Sequence, residues 1–504
     1  MYAMLTDALS SIIMRHLGFS PSADQLRAIG AFSSFMVDRS DRVAMVMRGS
    51  AGTGKTTLAA AIVKALSELR WRMVLLAPTG RAAKVFALGA GRAAFTIHRR
   101  IYRQKSLRAD MGGFSLADNL HSDTLFIVDE ASMIANGAAG EAAFGSGCLL
   151  DDLVHYVYGG RNCRLMLIGD RAQLPPVGEA ESPALQAAVM EGYGLRVYEA
   201  ELDAVLRQGE GSGILFNATT VRRMITGVGP VALPKVRFSG FADICAVGGG
   251  ELVDTLAGSY SHAGLDETIV ITRSNKRAVV YNRGIRAQVL DREDELCAGD
   301  MIMVVRNNYY WMERERRHAD GAPKAGDGAA AGLDGDAEAQ SVLPSFLANG
   351  DRAVVRRVRG CRSLYGFRFA DVTMTLPDYD DYELTATVLL DTLASEAPAL
   401  TREQGEQLFN AVMEDYADLP LKADRIKQLK QDRYFNALQV KHAYAVTCHK
   451  AQGGQWAHVY VDQGYMTDDM LTPAYLHWLY TAFTRATERL YLVNWPDRQR
   501  ADAG

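Results

Sequence analysis

Short apolar runs alternate with stretches of helical periodicity along most of the chain. Arg42–Arg48, Arg72–Ala77, Thr124–Val128, Arg164–Ile168 and Leu195–Tyr198 read as strands, with Ala59–Leu69 and Leu149–Val157 among the helices between them. A strand that is apolar at nearly every position is covered on both faces, which predicts parallel α/β layering. The pattern resumes with Thr268–Ile271, Met301–Val305, His458–Val461 and Leu490–Asn494, so a second parallel core is expected in the second half. At the start, Leu5, Leu9, Ile12, Ile13 and Leu17 share one face of an amphipathic helix. Asp7 and the broken apolar pattern make this a packed helix rather than a signal peptide.

Three stretches interrupt the alternation. Arg99–Asp123 is polar, and its start is basic (Arg99, Arg100, Arg103, Lys105, Arg108). Ala319–Gln340 is rich in Gly, Ala and Asp and reads as a mobile excursion. Ala353–Thr387 reads as short strands, followed by a helical segment, Arg402–Gln431. The expected organisation is a helix over 1–20, a first core over 21–200 with an insertion at 99–123, and a second core over 201–352 and 439–504. A small β-barrel over 353–438 interrupts that second core.

Composition changes this picture little. Hydrophobic residues make up 48% and charged residues 23% of 504 residues, and the net charge is −4. That is an ordinary globular balance, and it neither requires nor excludes nucleic acid, because basic residues can be confined to a channel. The six cysteines show no metal-ligand spacing, which suggests a reducing compartment. No apolar run approaches the ~20 residues of a membrane span.

The chemistry is concentrated after the strands. Gly49-Ser50-Ala51-Gly52-Thr53-Gly54-Lys55-Thr56 follows a strand and opens a helix, matching G-x-x-x-x-G-K-[ST]. Glycines let backbone N–H groups form a phosphate-sized nest, to which the helix N-terminus adds its dipole. Lys55 is expected on the β/γ-phosphates and Thr56 on Mg²⁺, with Thr57 completing the ATP cradle. Asp129 and Glu130 close the strand Thr124–Val128. Asp129 is the expected Mg²⁺ ligand and Glu130 the residue that polarises the attacking water. Such an acidic pair alone would more often be a helix cap; its pairing with the P-loop favours catalysis. Gln173, in Gly169–Pro176, is placed to sense the γ-phosphate. Lys55, Glu130 and Gln173 together suggest an NTPase of the motor type rather than a kinase.

Gly169–Pro176, preceded by Asp129-Glu130-Ala131-Ser132-Met133, resembles the RecD/Dda-like branch of superfamily 1 helicases. Other motifs follow in the family's order. Gln25 in Ser20–Gln25 looks like the motif that reads adenine, Ala77–Ala83 like motif Ia and Thr96-Ile97-His98 like motif Ib. Arg207-Gln208 resembles motif IV, Ala445–Gly453 motif V and Tyr480–Ala486 motif VI. The resemblance spans about residues 20–495. It implies two RecA-like cores, a hairpin insertion in the first and an SH3-like barrel in the second. It also implies ATP and Mg²⁺ as cofactors and 5′→3′ movement on single-stranded DNA, with unwinding of duplex or forked DNA. Arg207 and Arg485 would be arginine fingers, and Gln452 and Gly453 would join the nucleotide site. Pro78, Thr79, His98, Phe114, Thr447 and His449 would touch the strand. The implied setting is cytoplasmic and nucleoid-associated, for a bacterial or phage-encoded monomer working alongside other replication or repair proteins. An RNA-directed motor, or an ATPase subunit that does not unwind alone, are the rival readings. The roll of motifs leaves Tyr309-Tyr310-Trp311 open, either as a base-stacking platform or as core packing.

Overall fold

In the computed structural model, which describes residues 2–104, 114–137, 145–203, 211–227, 233–319 and 346–501, the first half forms a six-stranded parallel sheet. Its strands run in the order Ala94–Thr96, Arg72–Ala77, Thr124–Val128, Arg164–Gly169, Val43–Gly49, Arg196–Leu202. The continuous apolar runs serve two cores at once. Met45 and Met47 face the helices Tyr2–Leu17, Ala23–Val37 and Lys55–Glu68, while Ala44 and Val46 face the side that holds Leu149–Gly159. The amphipathic first segment is a packed helix, with Leu9, Ile13 and Leu17 buried.

The second half forms a five-stranded parallel sheet in the order Ala445–Thr447, Thr268–Thr272, Trp456–Asp462, Ala486–Val493, Ile244–Val247. The residues from Met301 to His442 that leave this sheet build a closed five-stranded barrel. Its strands are Met301–Val304, Arg352–Leu364, Phe367–Leu376, Tyr382–Leu389 and Leu438–His442. Helices Arg402–Glu414 and Lys422–Leu429 pack Leu408, Val412 and Leu429 onto Phe367, Phe369 and Leu389 of the barrel.

One strand differs from the sequence reading. Met301–Val305 was expected in the second parallel core, but Met301–Val304 pairs antiparallel with Arg352–Leu364 and Leu438–His442 in the barrel. The physical reason lies in its burial: Ile302 and Val304 fill the barrel, while Met301 and Met303 pack on the second core. Two apolar faces look the same in sequence whether they come from a parallel sheet or from a barrel wedged against one. The stretch Arg99–Asp123 contains an antiparallel pair, Tyr102–Gln104 with Phe114–Leu116. Lys105, Arg108, Arg207 and the excursion 320–340 lie outside the described residues. Among the described residues no helix is long and apolar enough to cross a membrane.

The strand Met301–Val304 is anchored by an ion cluster at Asp300, which is fully buried. Its carboxylate accepts hydrogen bonds from Arg286 Nε (3.0 Å) and Nη2 (3.0 Å), Arg292 Nη1 (2.8 Å), Tyr444 Oη (2.9 Å) and the Cys297 amide (2.8 Å). Burial alone would raise the carboxyl pKa, but the bonds from Arg286 and Cys297 and the neighbouring cations outweigh it and hold it at about 2. A depressed carboxylate pKa stabilises the fold at neutral pH, and that stability is lost only as pH falls toward about 2. Asp300→Asn leaves Arg286 and Arg292 as buried charges without their counter-ion. It should therefore cost about 3–5 kcal/mol in a urea unfolding midpoint at neutral pH, and a change below about 1 kcal/mol would show that the cluster does not hold the barrel to the core.

Candidate nucleotide site between the two cores

The strands Thr124–Val128, Arg164–Gly169 and Val43–Gly49 are neighbours in the first sheet, and each is followed at its carboxyl end by one of the motifs. Carboxyl ends of parallel strands are where open α/β sheets bind ligands. After Val43–Gly49 the chain turns through Gly52 and Gly54 at φ 79° and 81° into the helix Lys55–Glu68. These are left-handed conformations that glycine adopts without strain. At Gly49 a Cβ would lie 2.8 Å from Thr53 Oγ1 and 2.9 Å from Leu202 Cβ, so the backbone approach there excludes a side chain. Lys55 Nζ donates to the Ser50 carbonyl at 2.8 Å, and Thr53 Oγ1 donates to the same oxygen at 2.9 Å. Thr56 and Thr57 are exposed on the first helical turn.

Asp129 is buried beside this loop. Burial, then the neighbouring Glu130, push its pKa up to about 7, while its bond from the Glu130 amide and the charge of Lys55 pull the other way. Glu130 sits at φ 53°, a left-handed conformation that costs a non-glycine residue of order 1 kcal/mol and is concentrated at functional sites. Gln25 is fully buried in a capping box. Its amide N donates to Ser22 Oγ (3.2 Å) and its Oε1 accepts from Ser22 N (3.1 Å), which leaves Nε2 buried without a partner. Gln173 Oε1 is likewise buried and unpartnered.

These features fit a nucleoside triphosphate with a divalent cation. The backbone nest and Lys55 suit phosphates, the orphaned Gln25 amide suits a ring acceptor, and the crowded carboxylates suit an added positive charge. Orphaned buried polar groups cost about 1–3 kcal/mol each, which a ligand would recover.

The second core meets this site through groups other than those expected. Tyr480 Oη donates to Asp170 Oδ2 (2.7 Å) and accepts from the Ala51 amide of the P-loop (2.8 Å). Arg222 Nη1 donates to Ser50 Oγ (2.9 Å) and also pairs with Asp203. Thr481 Oγ1 accepts from the Leu174 amide (2.8 Å), and His477 Nδ1 lies 3.0 Å and 3.1 Å from the carbonyls of Ala172 and Gln173. Arg485, expected to reach a phosphate, is instead turned into its own core. Its three nitrogens donate to the Thr481 carbonyl (3.0 Å), the Gly454 carbonyl (3.1 Å) and Thr484 Oγ1 (3.1 Å). Gln452 Nε2 donates to the Leu174 carbonyl (2.7 Å), and a Cβ on Gly453 would meet Ala82 and Thr79. Both therefore lie on the seam between the cores, against the segments Gly169–Pro176 and Ala77–Ala83. Tyr480 could have been noticed, since it opens the motif that contains Arg485. Arg222 carries no signal in sequence, because it stands mid-helix with no fixed spacing to any motif.

Tyr480→Phe would leave buried Asp170 one donor short and the Ala51 amide without its acceptor. We expect a loss of about 1–3 kcal/mol in thermal melting; an unchanged melting temperature would mean that the phenol does not join the cores.

The residues expected on a nucleic-acid strand lie at or just after strands of both sheets and in the hairpin. Thr79 caps the helix Gly80–Ala90, accepting from the Ala82 amide, and follows Pro78. His98 stacks near Tyr102 (5.6 Å between centroids), and burial pushes its imidazole pKa down to about 4, so it is neutral at pH 7. Thr447 lies beside Thr272 in the second sheet, and His449 is exposed just after it. Phe114 falls in the second strand of the hairpin, opposite Gln104. A cavity of about 510 Å³ separates the helix Gly80–Ala90 from the barrel, with Lys84, Arg92, Arg99, Phe95 and Tyr379 in its lining. Trp311 is core: it is buried and its Nε1 donates to the Asn436 carbonyl at 2.9 Å. Tyr309 stacks on Phe346 at 4.6 Å.

Comparison with known families gives two matches in chain order. Residues 22–224 match the AAA domain, and residues 442–493 match the UvrD-like helicase C-terminal domain. A stretch of 145 residues is 34% identical to the ATP-dependent RecD2 DNA helicase of Deinococcus radiodurans; it covers 29% of this chain and 18% of that relative's length. Solved structures with similar folds include a Bacteroides Pif1 helicase in complex with ADP-AlF3 and single-stranded DNA (13% identity, 95% and 93% of the two chains, TM-score 0.44). Pif1 helicase from Candida albicans is another (16%, 96% of each chain, TM-score 0.38). These matches, in chain order, support a superfamily 1B helicase of the RecD-like type.

Proposed function

We propose that this protein is an ATP-driven motor that moves 5′→3′ along single-stranded DNA and unwinds duplex ahead of it. The observation that carries the reading is the split nucleotide site. The P-loop, Asp129–Glu130 and Gln173 project from the first core, while Tyr480, Thr481, His477 and Arg222 reach the same loops from the second. A ligand held by one core therefore sets the position of the other.

In this reading the P-loop amides and Lys55 bind the phosphates, Gln25 reads the base, and Asp129 with Thr56 would hold Mg²⁺, which would supply charge neutralisation at the phosphates. Glu130 orients and deprotonates the attacking water. Arg485 exchanges its carbonyl partners for phosphate as the cleft closes, and Arg207 is the second arginine finger of this reading. Gln173 links the phosphate to the seam through Leu174, Thr481 and Gln452. Alternate opening and closing of the seam, with a different grip on the strand in each state, gives one-way stepping. The strand runs along Pro78, Thr79, Thr447 and His449 toward the hairpin with Phe114, where the fork is met. The polarity rests on the RecD/Dda-like resemblance.

Steady-state ATPase with single-stranded DNA and with RNA of the same sequence tests the substrate class. Stimulation by DNA well above that by RNA is expected; the reverse order would assign the motor to RNA, and no stimulation by either would leave a nucleotide switch in its place.

A further inference from the structure

The outer side of the second core holds a group of side chains that the nucleotide chemistry does not use. His262 ends the helix Leu252–His262, His458 lies in the strand Trp456–Asp462, and Glu488 lies in the neighbouring strand Ala486–Val493. One ligand atom from each falls within 4.8 Å of the other two, although the three residues are separated by up to 226 positions. The two imidazoles stack at 5.7 Å between centroids with an interplanar angle of 23°. His262 and Glu488 are exposed, so the group opens to solvent, while His458 is buried at its floor.

A hydrogen-bond chain behind His458 settles which of its nitrogens is free. Tyr460 Oη donates to the Thr255 carbonyl (2.8 Å), so its contact with Ser259 Oγ (2.6 Å) is one it accepts. Ser259 Oγ therefore spends its proton on Tyr460, and it must accept from His458 Nδ1, 2.9 Å away. The proton of the neutral imidazole is thus fixed on Nδ1, and Nε2 keeps its lone pair. This is the arrangement by which a second shell of hydrogen bonds orients a metal-ligating histidine.

We propose that His262, His458 and Glu488 form a site for a borderline divalent cation of the zinc class, separate from the Mg²⁺ of the nucleotide site. Two imidazoles and one carboxylate are a donor set that suits zinc, and three protein ligands leave a fourth position for water. Burial lowers the proton affinity of His458; Glu488 opposes this, and His262 and Arg489 add to it. The bound ion would tie the end of a surface helix to two strands of the sheet. Both tyrosines behind it, Tyr460 and Tyr491, stack at 4.3 Å and give the strands a rigid floor.

The test uses the purified full chain, first stripped with a chelator, and Zn²⁺ or Co²⁺ alone as the probe, without nucleotide. Calorimetry should find one Zn²⁺ site, and Co²⁺ should give the visible absorption of a four-coordinate N/O site. His262→Ala and Glu488→Gln change exposed side chains, so they leave the fold intact while abolishing both signals. Ser259→Ala, which removes the orienting bond together with the one to Tyr460, should weaken Zn²⁺ by about 10–100-fold. Lys55→Ala should leave both signals unchanged, because it touches only the nucleotide loop. Zn²⁺ binding that survives in His262→Ala and Glu488→Gln, or the lack of any Co²⁺ absorption in the wild-type chain, would overturn the assignment.

Discussion

Glu130→Gln should bind ATP as the wild type does and hydrolyse it roughly 10²–10⁴ times more slowly. The substitution keeps the side chain's size and one acceptor oxygen but removes its capacity to take a proton. The backbone should survive it, because the left-handed turn at φ 53° is tied through the Glu130 amide to Asp129 rather than through the Glu130 carboxylate. Equilibrium binding of a fluorescent ATP analogue, measured beside turnover, separates the two effects. A collapse of binding with the loss of turnover would make Glu130 part of the scaffold.

Lys55→Ala should have an effect at least as large, lowering turnover by about 10²-fold or more while the melting temperature stays within a few degrees. Lys55 is half-buried at the start of its helix, and its ammonium donates to the Ser50 carbonyl. No core packing depends on that group. What is lost is the cation over the phosphates, so ATP affinity should fall with the rate, in contrast to Glu130→Gln. Turnover close to wild type would remove the P-loop from the account.

The contrast between these residues and Tyr480 shows where sequence reading works. Gly49–Thr56 can be read because a phosphate nest is local: every constraint on it, from the left-handed glycines to the helix start, lies within a few residues. Asp129 and Gln173 can be read for a related reason, since a parallel strand hands its next residues to the sheet's carboxyl edge. The seam could not be read. Tyr480 and Ala51 are 429 positions apart, and nothing local to either marks the contact.

Arg485 shows the opposite problem. Its motif was plain, yet the motif does not say that the guanidinium is held by Thr481, Gly454 and Thr484. The barrel fell between these cases. Its middle strands alternate in the way a half-buried sheet must, but its first strand, Met301–Val304, is buried on both faces and so looked like part of the core it leans on. Trp311 was ambiguous in the same manner, since an aromatic side chain that stacks a base and one that fills a core share the same composition.

The measurement that bears most directly on the central claim is strand displacement by the purified chain on matched duplexes carrying a 5′ tail, a 3′ tail or none. A motor of the kind described should unwind the 5′-tailed duplex with ATP and fail on the others, and Glu130→Gln should fail on all three. Unwinding that favours the 3′ tail would contradict the direction of movement, and ATP hydrolysis without displacement of any substrate would contradict the motor itself.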